Sequence, residues 1–208
     1  MTRLLLAILL TFGAASAQAA ASMYRYDTVH SQVLVTVSHD GFSNPVARLH
    51  IRNGWLRFDP ERWNDAATDL DIDVGSLDLG DRAWNDAVKG RRFLDTARWP
   101  LAHFVSTSME RTGKDTGLLH GTLTLHGVSR AVVVSVRLNR RAFTIFGAHT
   151  VAGFSGRAVL DRTQFDMTAN TGSVSREVDV RLEIEAIADP QAREHYESSR
   201  ETDHAVEK

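Results

Sequence analysis

The sequence predicts an all-β domain, an antiparallel sandwich or barrel that is interrupted by one short helix. Three observations support this fold class. Most of the chain alternates apolar and polar residues with a period of two, which is typical of strands that bury one face. Short polar turns separate these runs at regular intervals. Only one stretch inside the alternating region, residues 81–100, has helical spacing instead.

The first 19 residues are predicted to be a cleaved signal peptide. They contain Arg3, an apolar run over residues 4–10 and a small-x-small cleavage site at residues 17–19. The apolar run is shorter than the ~20 residues that a membrane-spanning helix needs. We therefore expect a periplasmic protein that is exported and has no stable membrane insertion, with an uncleaved anchor as the alternative.

Eight strands are expected in the rest of the chain. The clearest are residues 68–74, where Leu70, Ile72 and Val74 alternate with three aspartates on a solvated face, and residues 177–186. Weaker alternation covers residues 31–38, 46–52, 101–108, 118–125, 130–138 and 150–161, and a further short strand is expected at 55–58. Turn residues stand at Asn53-Gly54, at His126-Gly127 and around Thr171-Gly172.

The helical insertion is expected to begin after Asp81, which can cap it, and to end at Gly90. Its apolar residues at 83, 84, 87 and 88 are spaced for one helix face. After residue 188 the chain is polar and charged, so residues 189–208 are expected to form a mobile tail. Together these boundaries predict one domain over residues 23–188.

Composition excludes several classes of protein. Hydrophobic residues make up 43% of the chain and charged residues 24%, which is ordinary for a globular domain. The formal net charge of −2 argues against a nucleic-acid partner, since nucleic-acid binders usually carry a basic excess. The chain has no cysteine, which excludes disulfides, thiolate metal ligands and a cysteine nucleophile.

Nothing in the sequence predicts catalysis, a metal site or a cofactor. Ser31 follows His30 directly, and adjacent strand residues point to opposite faces, so the pair does not form a catalytic triad. The nine histidines lack the close spacing of zinc ligands. His120 and His126, on one predicted strand, would lie ~20 Å apart. We therefore expect a protein that is not an enzyme.

Four segments, in chain order, carry a resemblance to a known family. Their matching residues are Tyr26, Asp27, His30, Ser31, His39, Gly41 and Ser43; then Ser76, Asp81, Phe93, Leu94, Asp95, Trp99, Pro100 and Phe104; then Gly121, Leu123, Thr124, Leu125, His126, Gly127 and Val128; and last Asp161, Arg162 and Phe165. In these residues the chain resembles the YceI-like proteins, exported bacterial proteins that bind polyisoprenoids or other lipids.

The resemblance implies an eight-stranded, lipocalin-like antiparallel barrel that holds an isoprenoid or other long-chain amphiphilic lipid. The residues expected to line its interior are Phe42, Phe58, Ile72, Phe104, Leu125, Val134, Phe154 and Leu182. His30 and His39 are expected at a polar mouth that binds the ligand head group, with hydrogen bonding at strand ends as the alternative reading.

The function predicted on this basis is lipid carriage without catalysis. The alternative is a periplasmic stress-response or protein-interaction module with a packed core, acting through its surface. The sequence does not separate the two, because inward-facing aromatic side chains suit both a cavity wall and a packed core. A homodimer also stays open.

Overall fold

The computed structural model describes residues 22–206, with side chains described as far as Thr202. Its strands are β1 (Ser22–Tyr26), β2 (Gln32–His39), β3 (Val46–Phe58), β4 (Ala67–Asp78), β5 (Leu101–Arg111), β6 (Thr116–Leu125), β7 (Val128–Thr144), β8 (His149–Asp161) and β9 (Val174–Ala188). The α-helices are α1 (Arg82–Lys89) and α2 (Ala192–Val206). The predicted signal peptide, residues 1–19, lies outside the described residues.

The strands form one closed antiparallel barrel, as predicted. Their order is β1-β3-β2-β9-β8-β7-β6-β5-β4, and β3 also pairs with β4 and thereby closes the ring. Both β1 and β2 lie between β3 and β9, with Tyr26 opposite Ala186 and Gln32 opposite Glu183. They run in the same direction and are separated by the loop at residues 27–31, so together they fill one of eight positions around the barrel.

One end of the barrel is closed by aromatic side chains. Trp63, on a 3-10 helix between β3 and β4, packs edge-to-face against Phe58 with ring centroids 5.3 Å apart. Phe58 in turn packs against Phe154 at 5.0 Å. The other end is covered by α1 and by a second 3-10 helix, Arg162–Phe165.

The helical insertion forms as predicted. The Asp81 side chain accepts a hydrogen bond from the Trp84 backbone N–H at 2.9 Å, and Gly90 follows the last residue of α1. An N-terminal cap of this kind satisfies one of the amide groups that a helix leaves without a partner.

The turn predicted at Asn53-Gly54 is wrong, because β3 continues through both residues as far as Phe58. Gly54 has a φ of +156°, and a Cβ built on it would lie 2.5 Å from the Leu70 Cβ. The glycine therefore serves close approach between β3 and β4, where the ladder is irregular, and not a reversal of the chain.

The expected mobile tail is also wrong for the described residues, since α2 packs on the outside of the barrel. Ala192 and Tyr196 are 2% and 1% exposed and lie against Trp55. The Tyr196 hydroxyl donates to Asp69 at 2.7 Å and contacts Asp71 at 3.1 Å. The outer face of β4, expected to be solvated, is therefore covered here, and Asp71 is buried.

Candidate functional site

An apolar cavity of about 150 Å³ lies inside the barrel. Its wall is formed by Tyr26, Val33, Ile51, Leu56, Phe58, Ala66, Ala67, Thr68, Leu70, Ile72, Phe104, Met109, Leu119, Leu123, Val132, Val134, Val136, Phe154, Ser155, Gly156, Ala158, Leu160, Val180, Leu182 and Ile184. Only Tyr26, Thr68 and Ser155 of these carry a polar side-chain atom. The period-two alternation of the strands places the apolar side chains on the inner face.

The three polar groups of the wall are all satisfied by the protein. The Thr68 hydroxyl donates to the Trp55 carbonyl oxygen at 2.6 Å, so the Tyr26 hydroxyl, also 2.6 Å away, donates to Thr68. Burial raises the pKa of Tyr26 to about 12, so its hydroxyl stays neutral. Ser155 donates to a Glu183 carboxylate oxygen at 2.7 Å. The cavity thus offers a ligand apolar contact and no uncompensated polar group.

The barrel interior is packed unevenly. On the wall formed by β3–β5, inward side chains such as Ile51, Leu70 and Phe104 are buried. On the opposite wall, formed by β7–β9, Val136, Phe154 and Leu182 also face inward but remain partly exposed. The cavity touches both walls, and most of its partly exposed lining residues belong to β7–β9.

Phe104 owes its position to a glycine on the neighbouring strand. A Cβ built on Gly121 of β6 would lie 2.4 Å from the Phe104 Cζ. The missing side chain lets the ring lie against the β6 backbone, where it forms part of the cavity wall.

Six of the ten site residues predicted from the sequence line the cavity. They are Phe58, Ile72, Phe104, Val134, Phe154 and Leu182. Their position on the inner wall agrees with the prediction, and contact with a ligand stays a prediction. Further lining residues that the prediction omitted, such as Leu119 and Ile184, stand at inward positions of the same alternating pattern.

The other four predicted residues do not line the cavity. Phe42 is 91% exposed, so its placement on the wall is wrong. It lies in the turn between β2 and β3, where Asp40 and Gly41 have positive φ angles of 51° and 70°. Leu125 packs against the core at the end of β6 but stands outside the cavity lining.

Both predicted histidines lie on the outer surface. The His30 Nδ1 is 2.8 Å from an Asp27 carboxylate oxygen, and this hydrogen bond raises the pKa of His30. The His39 ring contacts the edge of Trp84, with centroids 6.0 Å apart. These contacts match the alternative reading, in which the histidines bond locally at strand ends.

Asp27, His30 and Glu185 place one donor atom each within 4.8 Å of one another. Carboxylate and imidazole are ligands that divalent metals accept. However, Asp27 already accepts hydrogen bonds from the backbone N–H groups of Val29 and His30, besides the His30 ring. The geometry is that of an ion pair that fixes the loop between β1 and β2.

Arg162 is a structural residue and does not form an ion pair with its neighbour Asp161. Its buried guanidinium donates to the backbone carbonyl oxygens of Met167, Val174 and Ser175. Asp161 instead pairs with Arg176 at 2.9 Å. Together these contacts hold the connection between β8 and β9 at one end of the barrel.

Comparison with known proteins gives consistent matches. Residues 24–186 match the profile of the YceI-like domain. A protein named "UPF0312 protein" from Shewanella denitrificans is 30% identical over 169 residues, covering 80% of this chain and 88% of its own length. Another protein with the same name, from Azotobacter vinelandii, is 28% identical over 175 residues, covering 84% of this chain and 91% of its own length.

Two solved structures share the fold. The crystal structure of Burkholderia cenocepacia BcnA has a TM-score of 0.67 at 25% identity, covering 77% of this chain and 98% of its own. A polyisoprenoid binding domain from Saccharophagus degradans, implicated in plant cell wall breakdown, has a TM-score of 0.61 at 16% identity, covering 81% and 99%. Among the described residues of the present chain, no helix has the length and apolar character needed to cross a bilayer.

Proposed function

Because the chain belongs to the family of YceI-like domains and its barrel encloses an apolar cavity, we propose that it is an exported lipid carrier. In this proposal the barrel holds one isoprenoid-like or other long-chain amphiphilic lipid, without catalysis, in the periplasm. The observation that carries the proposal is the apolar cavity inside the barrel, whose partly exposed lining residues lie mostly on the β7–β9 wall. The polyisoprenoid binding domain from Saccharophagus degradans, which shares the fold, supports the choice of ligand class.

The size of the cavity defines what binding requires. An apolar cavity of about 150 Å³ holds a molecule the size of benzene, whereas pockets for larger ligands measure ~300–1,000 Å³. A long chain therefore enters only if lining side chains move apart, and the partly exposed ones lie mostly on the β7–β9 wall. Each CH₂ group removed from water contributes about 0.8 kcal/mol, so ten buried groups offset ~8 kcal/mol of rearrangement and ordering.

The chemistry of the wall supports binding over catalysis. The lining residues include no histidine, lysine, aspartate or glutamate. Tyr26 is their only ionisable side chain, and a phenol with a pKa of about 12 is a poor acid or base at neutral pH.

The direct test is to purify the protein from its native host and to identify extracted lipids by mass spectrometry. We expect one isoprenoid-like or fatty amphiphile per chain. Protein that is free of lipid after gentle isolation, and that binds no added prenol or fatty acid, would contradict the proposal.

The small cavity volume also favours a second candidate, a surface-acting interaction module with a packed core. That module would carry no stoichiometric lipid, and a pull-down would recover the same protein partner before and after delipidation. The lipid extract therefore separates the two candidates.

Export is tested separately by cell fractionation. We expect the protein in the periplasmic fraction, with a mature N-terminus close to Ala20 in intact-mass measurements. Full-length protein in the membrane fraction would support an uncleaved anchor instead.

A further inference from the structure

The β7–β8 hairpin ends in a cluster of exposed apolar side chains. Phe143, Ile145 and Phe146 are 65%, 82% and 83% exposed. They lie within four residues of each other at the turn, where the Phe146 N–H donates to the Thr144 hydroxyl. Single exposed apolar residues are common on proteins, but three large ones at one hairpin tip indicate an interaction surface for a protein or a membrane.

Positive charge is concentrated on the same strands. Residues 116–160 contain five arginines and no lysine, aspartate or glutamate, although the whole chain has a formal net charge of −2. Of these five arginines, Arg137 and Arg140 lie on the outer face of the half of β7 that leads to the tip, and both are exposed. Neither takes part in an ion pair with a described residue.

A third arginine fixes the hairpin to the barrel. The Arg141 Nε donates to the Tyr24 hydroxyl at 2.7 Å, and Tyr24 is fully buried on β1. The apolar tip is thereby held in place beside the barrel end. The groove below the tip has carboxylates of Asp27, Glu183 and Glu185 only on its far side, formed by β9 and the loop after β1.

We propose that the tip of the β7–β8 hairpin docks on the surface of membranes that contain anionic phospholipids. Phe143, Ile145 and Phe146 enter the boundary between head groups and acyl chains, while Arg140 contacts the phosphates. Arg137, ~20 Å from Phe143 along β7, adds a weaker attraction over a longer distance. Amphipathic contact of this kind combines apolar burial with attraction to anionic lipid. A basic residue near such a surface contributes about fivefold in binding. This surface contact goes beyond the proposed carriage of lipid in the barrel and does not depend on it.

The absence of cysteine in the chain makes a site-specific test simple. Ile145→Cys, labelled with an environment-sensitive fluorophore, reports on the tip. Val159→Cys, which replaces a side chain 60% exposed on β8 away from the tip, is the matched control. Both are mixed with vesicles of phosphatidylcholine, with or without ~30% phosphatidylglycerol. A membrane anchor in the N-terminal segment would bring both labels to the vesicle alike. A difference between the emission at position 145 and that at position 159 therefore reports insertion of the hairpin.

We expect a blue shift of the emission at position 145 with phosphatidylglycerol vesicles and none at position 159. Arg140→Gln should weaken the vesicle affinity about fivefold, and Arg137→Gln, further from the tip, should weaken it by less. Arg130→Gln, the same change at the opposite end of β7 and roughly 45 Å along the strand from Phe143, should leave it unchanged. Phe143→Ser combined with Phe146→Ser should weaken it at least ~10-fold.

Three outcomes would overturn the proposal. The first is an emission at position 145 that does not respond to vesicles, and the second is an equal shift at both positions. The third is a shift that appears without vesicles and grows with protein concentration, because it would show that a second copy of the chain covers the tip. Thermal melts of each variant check that the barrel remains folded.

Discussion

Replacing Ala158 by leucine tests whether the free volume inside the barrel binds the ligand. Ala158 lies on β8 opposite Val180, lines the cavity and is only partly buried. Leucine adds three carbon atoms, which gain about 2.4 kcal/mol at ~0.8 kcal/mol each when they leave water. Filling the whole cavity of about 150 Å³ would be worth ~3.6 kcal/mol at ~24 cal/mol per Å³.

Some of this gain is lost to strained side-chain rotamers, so we expect the free energy of unfolding to rise by ~1–2 kcal/mol. The same substitution should reduce the lipid that copurifies with the protein at least ~10-fold. Urea unfolding of the delipidated protein, followed by tryptophan fluorescence, gives the first quantity, and mass spectrometry of the extract gives the second.

The matched control is Ala131→Leu, which makes the same change on the exposed face of β7. It should alter the unfolding free energy by less than ~0.5 kcal/mol and leave the lipid content unchanged. An Ala158→Leu protein that is more stable yet retains its full complement of lipid would refute the reasoning, since the ligand would then bind elsewhere. A less stable protein would show that the interior has no space to fill.

Three further predictions concern the parts that hold the barrel together. Tyr196→Phe should lower the free energy of unfolding by ~1–3 kcal/mol in urea melts, because Asp69 loses a hydrogen bond from α2 and the buried Asp71 loses its contact with the same hydroxyl. Burial raises the pKa of Asp69, but hydrogen bonds from His103 and Tyr196 outweigh it and hold that pKa below its usual range. A carboxylate of this kind stabilises the fold above its unfolded pKa near ~3.9, and the contribution is lost as the pH falls through the folded value. Wild-type stability should therefore fall more steeply below about pH 5 than that of Asp69→Asn, as urea melts across this range will show. Arg162→Lys should cost at least ~2 kcal/mol in the same melts, because an ammonium group cannot reproduce the fork that donates to three carbonyl oxygens.

The strands and most of the cavity wall could be predicted because one rule governs both. Alternation with period two fixes which side chains face inward, and Ile72, Val134 and Leu182 all follow it. The boundaries of α1 were also predictable, because Asp81 and Gly90 act locally at its two ends. Such features depend on neighbours in the sequence, which is why pattern alone suffices.

The features that could not be predicted depend on contacts far along the chain. The helix α2 is anchored by Tyr196, whose partners Asp69 and Asp71 lie more than 120 residues earlier. With so few apolar residues, its segment shows no periodic face that would predict packing. The prediction that Phe42 lines the cavity was wrong because of local geometry. An aromatic residue beside a strand suggests a core position, and only the turn geometry places Phe42 in solvent.

The hairpin at residues 144–149 was missed because β7 and β8 extend beyond the residues whose alternation predicted them. A count of charges could have drawn attention to it, because residues 116–160 carry arginines without a single carboxylate. Charge segregation of this kind predicts a surface and a class of partner, whereas hydrophobic alternation predicts only the fold.

The uneven interior and the basic hairpin lie on the same side of the molecule. Most inward side chains of the β3–β5 wall are buried, and on its outer face α2 adds a second layer over Trp55 and Asp71. The β7–β9 wall has fewer buried inward side chains and, among the described residues, no outer helix, so no second layer holds its outer face. A lipid that widens the barrel would therefore displace β7–β9 first. Because the apolar tip belongs to β7 and β8, membrane contact and widening of the cavity would act on the same strands. We therefore expect membrane binding to change the affinity of the barrel for lipid, and bound lipid to change the affinity for the membrane by the same factor.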